Sequence, residues 1–417
     1  MLGVFLLLAV IGYQIWTLVS HQPPSPGNVF HQTAARPGTN QPISVENLSH
    51  LHLLWSYTFA PDLAYDMTVA NGVVYMEGLH DLVAIQNGKR VWRSQLPDHI
   101  QTLSSFQVSG NVVYLATNAQ IAPDRGNAIY ALNAHTGQEL WQHHATTSID
   151  SLTSDQTMLY FSTAHEVDAL ANNTGKLQWS HQLSHDPLDG PSRPSLIATV
   201  GNLYLALQTS PYQAEPSLIA LDDRTGNVRW QMQEVGVSAS SPAQVSPFVV
   251  ENGVIYRRNT AEISAVDATT GNELWQVPLN PSDAYGWGLQ VSQNLLYLPG
   301  QNDIQARDLS DGHLVWNSGP LKGNGIFLEP TVSNSVVFYV ATDERLPPWS
   351  PHHPRYWVYA LNVQSGKLVR MLEDGDSSFQ PGSVKADNEH VYVVGEQLRS
   401  GSDYLPVPEP ELDVLGV

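Results

Sequence analysis

"YALNAHTGQELWQ", Tyr130 to Gln142, holds the key to the whole chain. Its skeleton is Ala131, then Gly137, then Trp141. The skeleton returns as Ala169, Gly175 and Trp179; as Ala220, Gly226 and Trp230; as Ala265, Gly271 and Trp275; and as Ala306, Gly312 and Trp316. Ala360 and Gly366 keep the first two places with Arg370 in the third, and a shorter early copy carries Gly88 and Trp92. Successive third positions lie from 38 residues apart (Trp141 to Trp179) to 54 (Trp316 to Arg370). Recurrence at such a period marks a repeat array with one supersecondary unit per copy.

Upstream in each copy, an apolar pair or single residue precedes an aromatic: Tyr75, Tyr114, Tyr160, Tyr204, Tyr256, Tyr297, Phe338 and Tyr392. Turn pairs such as Asn71-Gly72 and Asn252-Gly253 come before several of them. β-Branched and aromatic runs bounded by turn residues are strands joined by tight hairpins. The unit is therefore expected to be a four-stranded antiparallel sheet, with the Ala on its third strand and the Trp on its fourth. Asn133, Asp222, Asp267, Asp308 and Asn362 can bond the backbone of the intervening turn, whose glycine takes the positive φ. The Trp supplies apolar surface worth about 2–3 kcal/mol when buried. This period and composition suit propeller blades. Trp55 ends a strand that lacks the rest of the motif, and residues 371–400 give a strand without a following Ala-Gly-Trp. The two halves are expected to complement one another, residues near 43–56 pairing with residues near 390–400. The fold expected is all-β, an eight-bladed β-propeller closed by its N-terminal strand.

The chain has 417 residues, a 42% hydrophobic content and a formal net charge of −20, with 19 Lys plus Arg. Such a length and composition support a large core. The charge disfavours nucleic acid and anionic lipid as partners. There is no cysteine, so disulfides, thiol nucleophiles and Cys-zinc sites are excluded. Residues 1–20 carry no charged side chain and match the length of a bilayer-spanning helix. An uncleaved transmembrane anchor is expected, with a cleaved signal peptide as the competing reading. Residues 21–42, rich in proline, read as an extended linker; 43–405 as the propeller; 406–417 as an acidic tail without structure. The propeller is expected outside a cell membrane, held by a single span.

The Ala-x-Asp/Asn-x-x-Thr-Gly-x-x-x-Trp pattern resembles the tryptophan-docking motif of the pyrroloquinoline quinone (PQQ) repeat family, and residues 43–400 carry the likeness. "SVENLSHLHLLWSYTF" is similar to the entry segment of quinoprotein alcohol dehydrogenases. The resemblance implies that Trp55, Trp92, Trp141, Trp179, Trp230, Trp275 and Trp316 each pack on a neighbouring blade's turn glycine, drawn from Gly88, Gly137, Gly175, Gly226, Gly271, Gly312 and Gly366. The same repeat builds quinoprotein dehydrogenases and the lipoprotein scaffold of the outer-membrane barrel assembly machine. The enzymes resemble one another in a vicinal Cys-Cys pair over the cofactor, which this chain lacks. Their calcium-binding Glu and Asn and their base Asp find no matching motifs here, and the scaffold's lipobox cysteine is replaced by the apolar segment. A non-enzymatic protein-binding scaffold is therefore the leading reading, with no catalytic residue, cofactor or metal expected. A PQQ- and calcium-dependent dehydrogenase of alcohols or sugars is the alternative, and a small-ligand sensor a third.

Binding is expected on the face that gathers the long loops. Its candidate contact residues are Tyr285 and Trp287, with Arg345, Trp349, Arg355, Tyr356 and Trp357 in or beside the insertion 343–357. Aromatic residues and Arg dominate protein interfaces. Core packing is the bland alternative for Trp287, and Trp357 also reads as a strand residue. The histidine doublets His143-His144 and His352-His353 read as surface residues, and "DPLDGPSRPS" (186–195) as a turn lacking the alternation of a calcium loop.

Overall fold

The computed structural model describes residues 41–417 apart from 60–62, 79–80, 96–101, 119–126, 184–194, 208–215, 234–247, 260, 281–287, 301–302, 322–329, 343–355, 374–378 and 400–406. Its strands form eight four-stranded antiparallel sheets. Seven are contiguous in sequence: blade 1 (63–95), blade 2 (102–144), blade 3 (149–182), blade 4 (195–233), blade 5 (248–278), blade 6 (290–317) and blade 7 (331–373). The first strand of every blade touches the first strands of both neighbours, so the ring closes around its inner strands.

Blade 8 is composite. Phe379–Ala386 and His390–Arg399 are its first two strands, Val407–Gly416 its third and His52–Thr58 its fourth. The N-terminal strand does complete the last blade, but not against residues 390–400. It pairs with the C-terminal strand, Ser56 opposite Asp413 and Thr58 opposite Glu411. The C-terminal strand then pairs with His390–Arg399. The stretch 406–417, read from sequence as an acidic tail, thus holds the strand Val407–Gly416, and the propeller's core includes Val417. Leu412, Val414 and Leu415 are buried in it. The expected anchor at 1–20 and most of the linker lie outside the described residues. No helix among those described is long and apolar enough to cross a membrane.

The repeat's chemistry is visible in the register. In blade 3, Ala169 stands opposite Tyr160 on one side and Trp179 on the other. The two rings meet across it with centroids 5.9 Å apart. A larger residue than alanine would drive them apart. The Trp then crosses to the next blade. A Cβ added at Gly175 would lie 2.5 Å from Cε3 of Trp141, and one at Gly226 2.5 Å from Cε3 of Trp179. The same approach brings Trp92 onto Gly137, Trp230 onto Gly271, Trp275 onto Gly312, Trp316 onto Gly366 and, less closely, Trp55 onto Gly88. From Trp92 to Trp316 each of these indoles also finds a backbone carbonyl: Trp92 Nε1 donates to Ala134 O at 2.8 Å and Trp179 Nε1 to Asp223 O at 2.9 Å. The Tyr75 hydroxyl donates to the first of these carbonyls at 3.3 Å, and the Tyr160 hydroxyl lies 3.3 Å from the second. The turns are held as expected, with Asn133 Oδ1 accepting from the amides of His135 and Thr136.

Arg370 breaks the series for a structural reason. The blade after it is blade 8, whose third and fourth strands come from opposite chain ends and share no turn glycine. In that place lies the short 3-10 helix Leu48–His50. Arg370 Nη1 donates to the carbonyls of Leu48 and Leu51, the second at 3.1 Å. A cation that caps these two carbonyls does here what an indole does on a glycine turn. Arg370→Ala is expected to cost about 2–3 kcal/mol, because hydrogen bonds to a charged group are lost. Arg370→Trp should not restore it, since no glycine platform awaits the ring. Urea unfolding of the two variants checks both statements.

The fourth strands carry a feature that the sequence pattern does not announce. In each of blades 1–7 the register slips by one residue just before the Trp or Arg370, a β-bulge. In four blades the extra residue is an exposed aliphatic: Val91, Leu140, Leu274 and Val315. Bulges on outer strands spoil their fit to another strand edge, a common guard against edge-to-edge association.

Candidate functional site

Blade topology sorts the connections into two faces. Turns between first and second and between third and fourth strands are short and share one face. Connections between second and third strands, and from blade to blade, share the other, and they include every long one, among them 119–127, 183–194, 207–215, 234–247, 279–289, 318–330 and 343–355. The loop asymmetry expected from sequence therefore holds. The N-terminal segment meets the ring on the short-turn face, where the Ile43 amide donates to Asn388 O at 2.7 Å and Asn334 Nδ2 donates to Ile43 O at 3.1 Å.

Of the candidate contact residues, Tyr285, Trp287, Arg345, Trp349 and Arg355 lie outside the described residues. Tyr356 opens the third strand of blade 7. Trp357, next in that strand, is 4% exposed and packs among Tyr297, Trp316 and Tyr339 between blades 6 and 7. It is a core residue, and its place among contact candidates is corrected: the strand's alternation turns it inward. His143 is half-buried rather than a surface residue, its Nδ1 3.1 Å from Gly175 O. Burial lowers its pKa, against the backbone bond, so the neutral ring is favoured.

Two polar constellations escaped the sequence reading. In blade 3, Asp155 accepts from the amides of Thr157 and Met158 and from the Tyr160 hydroxyl at 2.7 Å. Asp387 in blade 8 repeats this with Glu389, His390 and Tyr392. Burial pushes the Asp387 carboxyl up, but bonds from the His390 and Tyr392 side chains and two amides outweigh it, and it ends well below the usual range. Its stabilising effect is present above the ordinary carboxylate range and lost as pH falls through the depressed value. The signal was an Asp five residues before the aromatic, at 155/160 and 387/392. The second constellation is an acid pair on a third strand, Glu166 with Asp168 and Glu411 with Asp413, faced by Ser180 and Gln182 in one blade and by Ser56 and Thr58 in the other.

Metal-ligand atoms gather once among the described residues: Asp308, Asp311 and His313, within 4.8 Å of one another. They sit on the exposed turn of blade 6, where Asp308 already accepts from the Ser310 amide and hydroxyl and Asp311 from the His313 amide. This turn lies on the short-turn face.

Ring closure, tryptophan-on-glycine docking and eight sheets together define a propeller of the PQQ-repeat class. The family described as PQQ_2, outer membrane protein assembly factor BamB, matches residues 52–189, 80–261 and 259–397, and the chain belongs to it. It is 26% identical to a tetrathionate hydrolase of Acidithiobacillus ferrooxidans over 331 residues, 69% of this chain and 64% of that protein's length. It is 23% identical to outer membrane protein assembly factor BamB of Yersinia pestis over 372 residues, 85% of this chain and 84% of the relative. In fold it is similar to the quinohemoprotein alcohol dehydrogenase of Comamonas testosteroni, with TM-score 0.65 and 13% identity over 90% of this chain and 78% of the enzyme.

Proposed function

We propose that this propeller is a non-enzymatic, protein-binding scaffold, a subunit of a membrane-associated assembly that presents its long-loop face to a partner. The observation that carries this reading is the extent of the likeness to the assembly factor, which spans 85% of this chain and 84% of that protein, whereas the hydrolase extends well beyond the shared part. Entry of the N-terminal segment on the short-turn face supports it further. If residues 1–20 anchor the chain on the extracytoplasmic side, the opposite face is the one free to bind. The alternative, a PQQ- and calcium-dependent dehydrogenase, draws on the fold likeness and on a 22% identity to a polyvinylalcohol dehydrogenase of Pseudomonas sp, which covers 60% of this chain and 45% of that enzyme.

Two measurements separate these readings. Solubilised membranes should yield a stoichiometric complex with a defined partner, lost when residues 344–354 are replaced by a short Gly-Ser bridge. Purified protein given PQQ and calcium should show no dye-linked oxidation of alcohols or sugars. Oxidation, or a stoichiometric quinone absorbance, would overturn the scaffold reading; an unchanged complex after the loop deletion would move the interface elsewhere.

A further inference from the structure

In blades 1–7 the residue just before the motif alanine is buried whatever its type. Val83, Tyr130, Ile219, Ser264, Gln305 and Tyr359 hold this place in blades 1, 2, 4, 5, 6 and 7. Its polar occupants in blades 2, 5 and 6 are matched. The Tyr130 hydroxyl accepts from Gln142 Nε2 at 3.0 Å. Arg257 Nε donates to Ser264 Oγ at 2.9 Å, and Arg307 Nη2 to Gln305 Oε1 at 2.9 Å. Two blades thus set a cationic group against the oxygen in this place.

Blade 3 fills it with a carboxylate, Asp168, 8% exposed. The residue opposite on the second strand is Phe161, where blade 5 has Arg257. Asp168 Oδ1 is buried and accepts no hydrogen bond. Burial raises this carboxyl; a bond from Ser180 opposes the rise, and the Glu166 charge adds to it. Glu166 lies two residues earlier on the same side of the strand. Its bonds, from Ser180 Oγ at 3.4 Å and Gln182 Nε2 at 2.7 Å, both fall on Oε2 and leave Oε1 open. Ser180 and Gln182 stand opposite the two acids on the fourth strand and are exposed, so the pair can be reached from solvent. A buried carboxylate oxygen without a partner is costly. Oxygens from two carboxylates, a hydroxyl and an amide suit a hard cation of calcium size, whose remaining ligands are water.

We propose that Asp168 and Glu166 hold a calcium-class cation on the side of blade 3 that faces blade 2, with Asp168 Oδ1 and Glu166 Oε1 as its charged ligands and Ser180 and Gln182 as neutral ones. The ion does for Asp168 what the guanidinium groups do in blades 5 and 6. It ties the third strand to the fourth, so its binding stabilises the blade by mass action. With two charged ligands and a largely hydrated ion, the site belongs to the weak class of protein calcium sites, with Kd about 10⁻⁴–10⁻³ M. The turn of blade 6 differs, because its Asp308 and Asp311 are exposed and already accept bonds within their own turn.

Thermal melting of the full chain, freed of metal by a chelator and held at constant ionic strength, tests this. Calcium chloride should raise the melting temperature in a saturable way, and sodium chloride should not. Terbium, which takes the same ligands, should luminesce through Trp141, which packs in the same interface between blades 2 and 3, and calcium should displace it. Asp168→Asn should abolish both responses. Glu166→Gln should weaken binding by about tenfold or more, a check that keeps the buried acid and stands even where Asp168→Asn does not fold. Asp311→Asn, on the blade 6 turn, should change neither response. The site is overturned by a parent chain with no saturable calcium response, by a response that survives Asp168→Asn or is unmoved in Glu166→Gln, or by one lost in Asp311→Asn. A chain indifferent to calcium yet stabilised by Asp168→Asn would likewise overturn it, showing that a proton alone serves the buried acid.

Discussion

Deleting residues 407–417 is expected to abolish the folded propeller, although composition marks this segment as a dispensable acidic tail. The deletion removes the third strand of blade 8 and leaves His390–Arg399 and His52–Thr58 facing one another across an empty lane. It also withdraws Leu412, Val414, Leu415 and Val417 from the core. Burial of an aliphatic side chain is worth about 2 kcal/mol, so the four together approach about 8 kcal/mol, against a net stability of about 5–15 kcal/mol for a folded domain. The neighbouring strands would lose their ladder bonds and expose two unpaired edges. Size-exclusion chromatography and thermal melting by circular dichroism should show aggregated or unfolded protein. A monomeric truncated chain with the parent melting temperature would refute the composite blade.

Gly175→Ala should destabilise the ring far more than Gly72→Ala, although both glycines have similar positive φ, 65° and 71°. At Gly72 nothing lies within 4 Å of an added Cβ, so the cost is the left-handed backbone alone, about 1 kcal/mol. At Gly175 the new Cβ would meet the Trp141 ring at 2.5 Å, adding an overpacking cost of about 1–3 kcal/mol. Trp141→Ala removes the ring and its 2.7 Å bond to Asn172 O, at about 3–5 kcal/mol by itself. In that background Gly175→Ala should cost no more than Gly72→Ala. Equilibrium urea unfolding of the four proteins measures the coupling. Equal costs at the two glycines in the parent chain would show that the ring does not rest on the turn.

The blades were legible in sequence because each demands residue types that nothing else supplies: a positive-φ glycine under an indole, an alanine between two rings, an Asx side chain to hold the turn. The closing strand was hidden by Pro408 and Pro410, which read as a breaker-rich tail. They are tolerated because they lie two apart, so both missing amides face the same side, and the N-terminal strand reaches only as far as Glu411. Aligning "ELDVL" with "EVDAL" would have exposed the strand, with Val414 in the alanine place. The contact candidates were less legible. An aromatic-rich stretch such as "PRYWVYALN" does not mark where loop ends and strand begins, so Trp357 passed for a contact residue. The buried acids left only a spacing, which has meaning once the register is known.

The composite blade also sets an order on biosynthesis. The strand that fills blade 8 is translated after every other described strand, whereas its partner His52–Thr58 is translated first. Blades 1–7 each hold a complete local sheet and can form as they emerge, in step with the N-to-C order in which chains are made. The ring itself must wait. Until residue 416 is available, the growing chain is an open arc with two apolar flanks, Phe338 and Val358 at one end and Met76 and Val83 at the other. A chain stopped short of this strand would keep both flanks exposed, so a nascent product cut off early carries its own mark for chaperone or protease recognition.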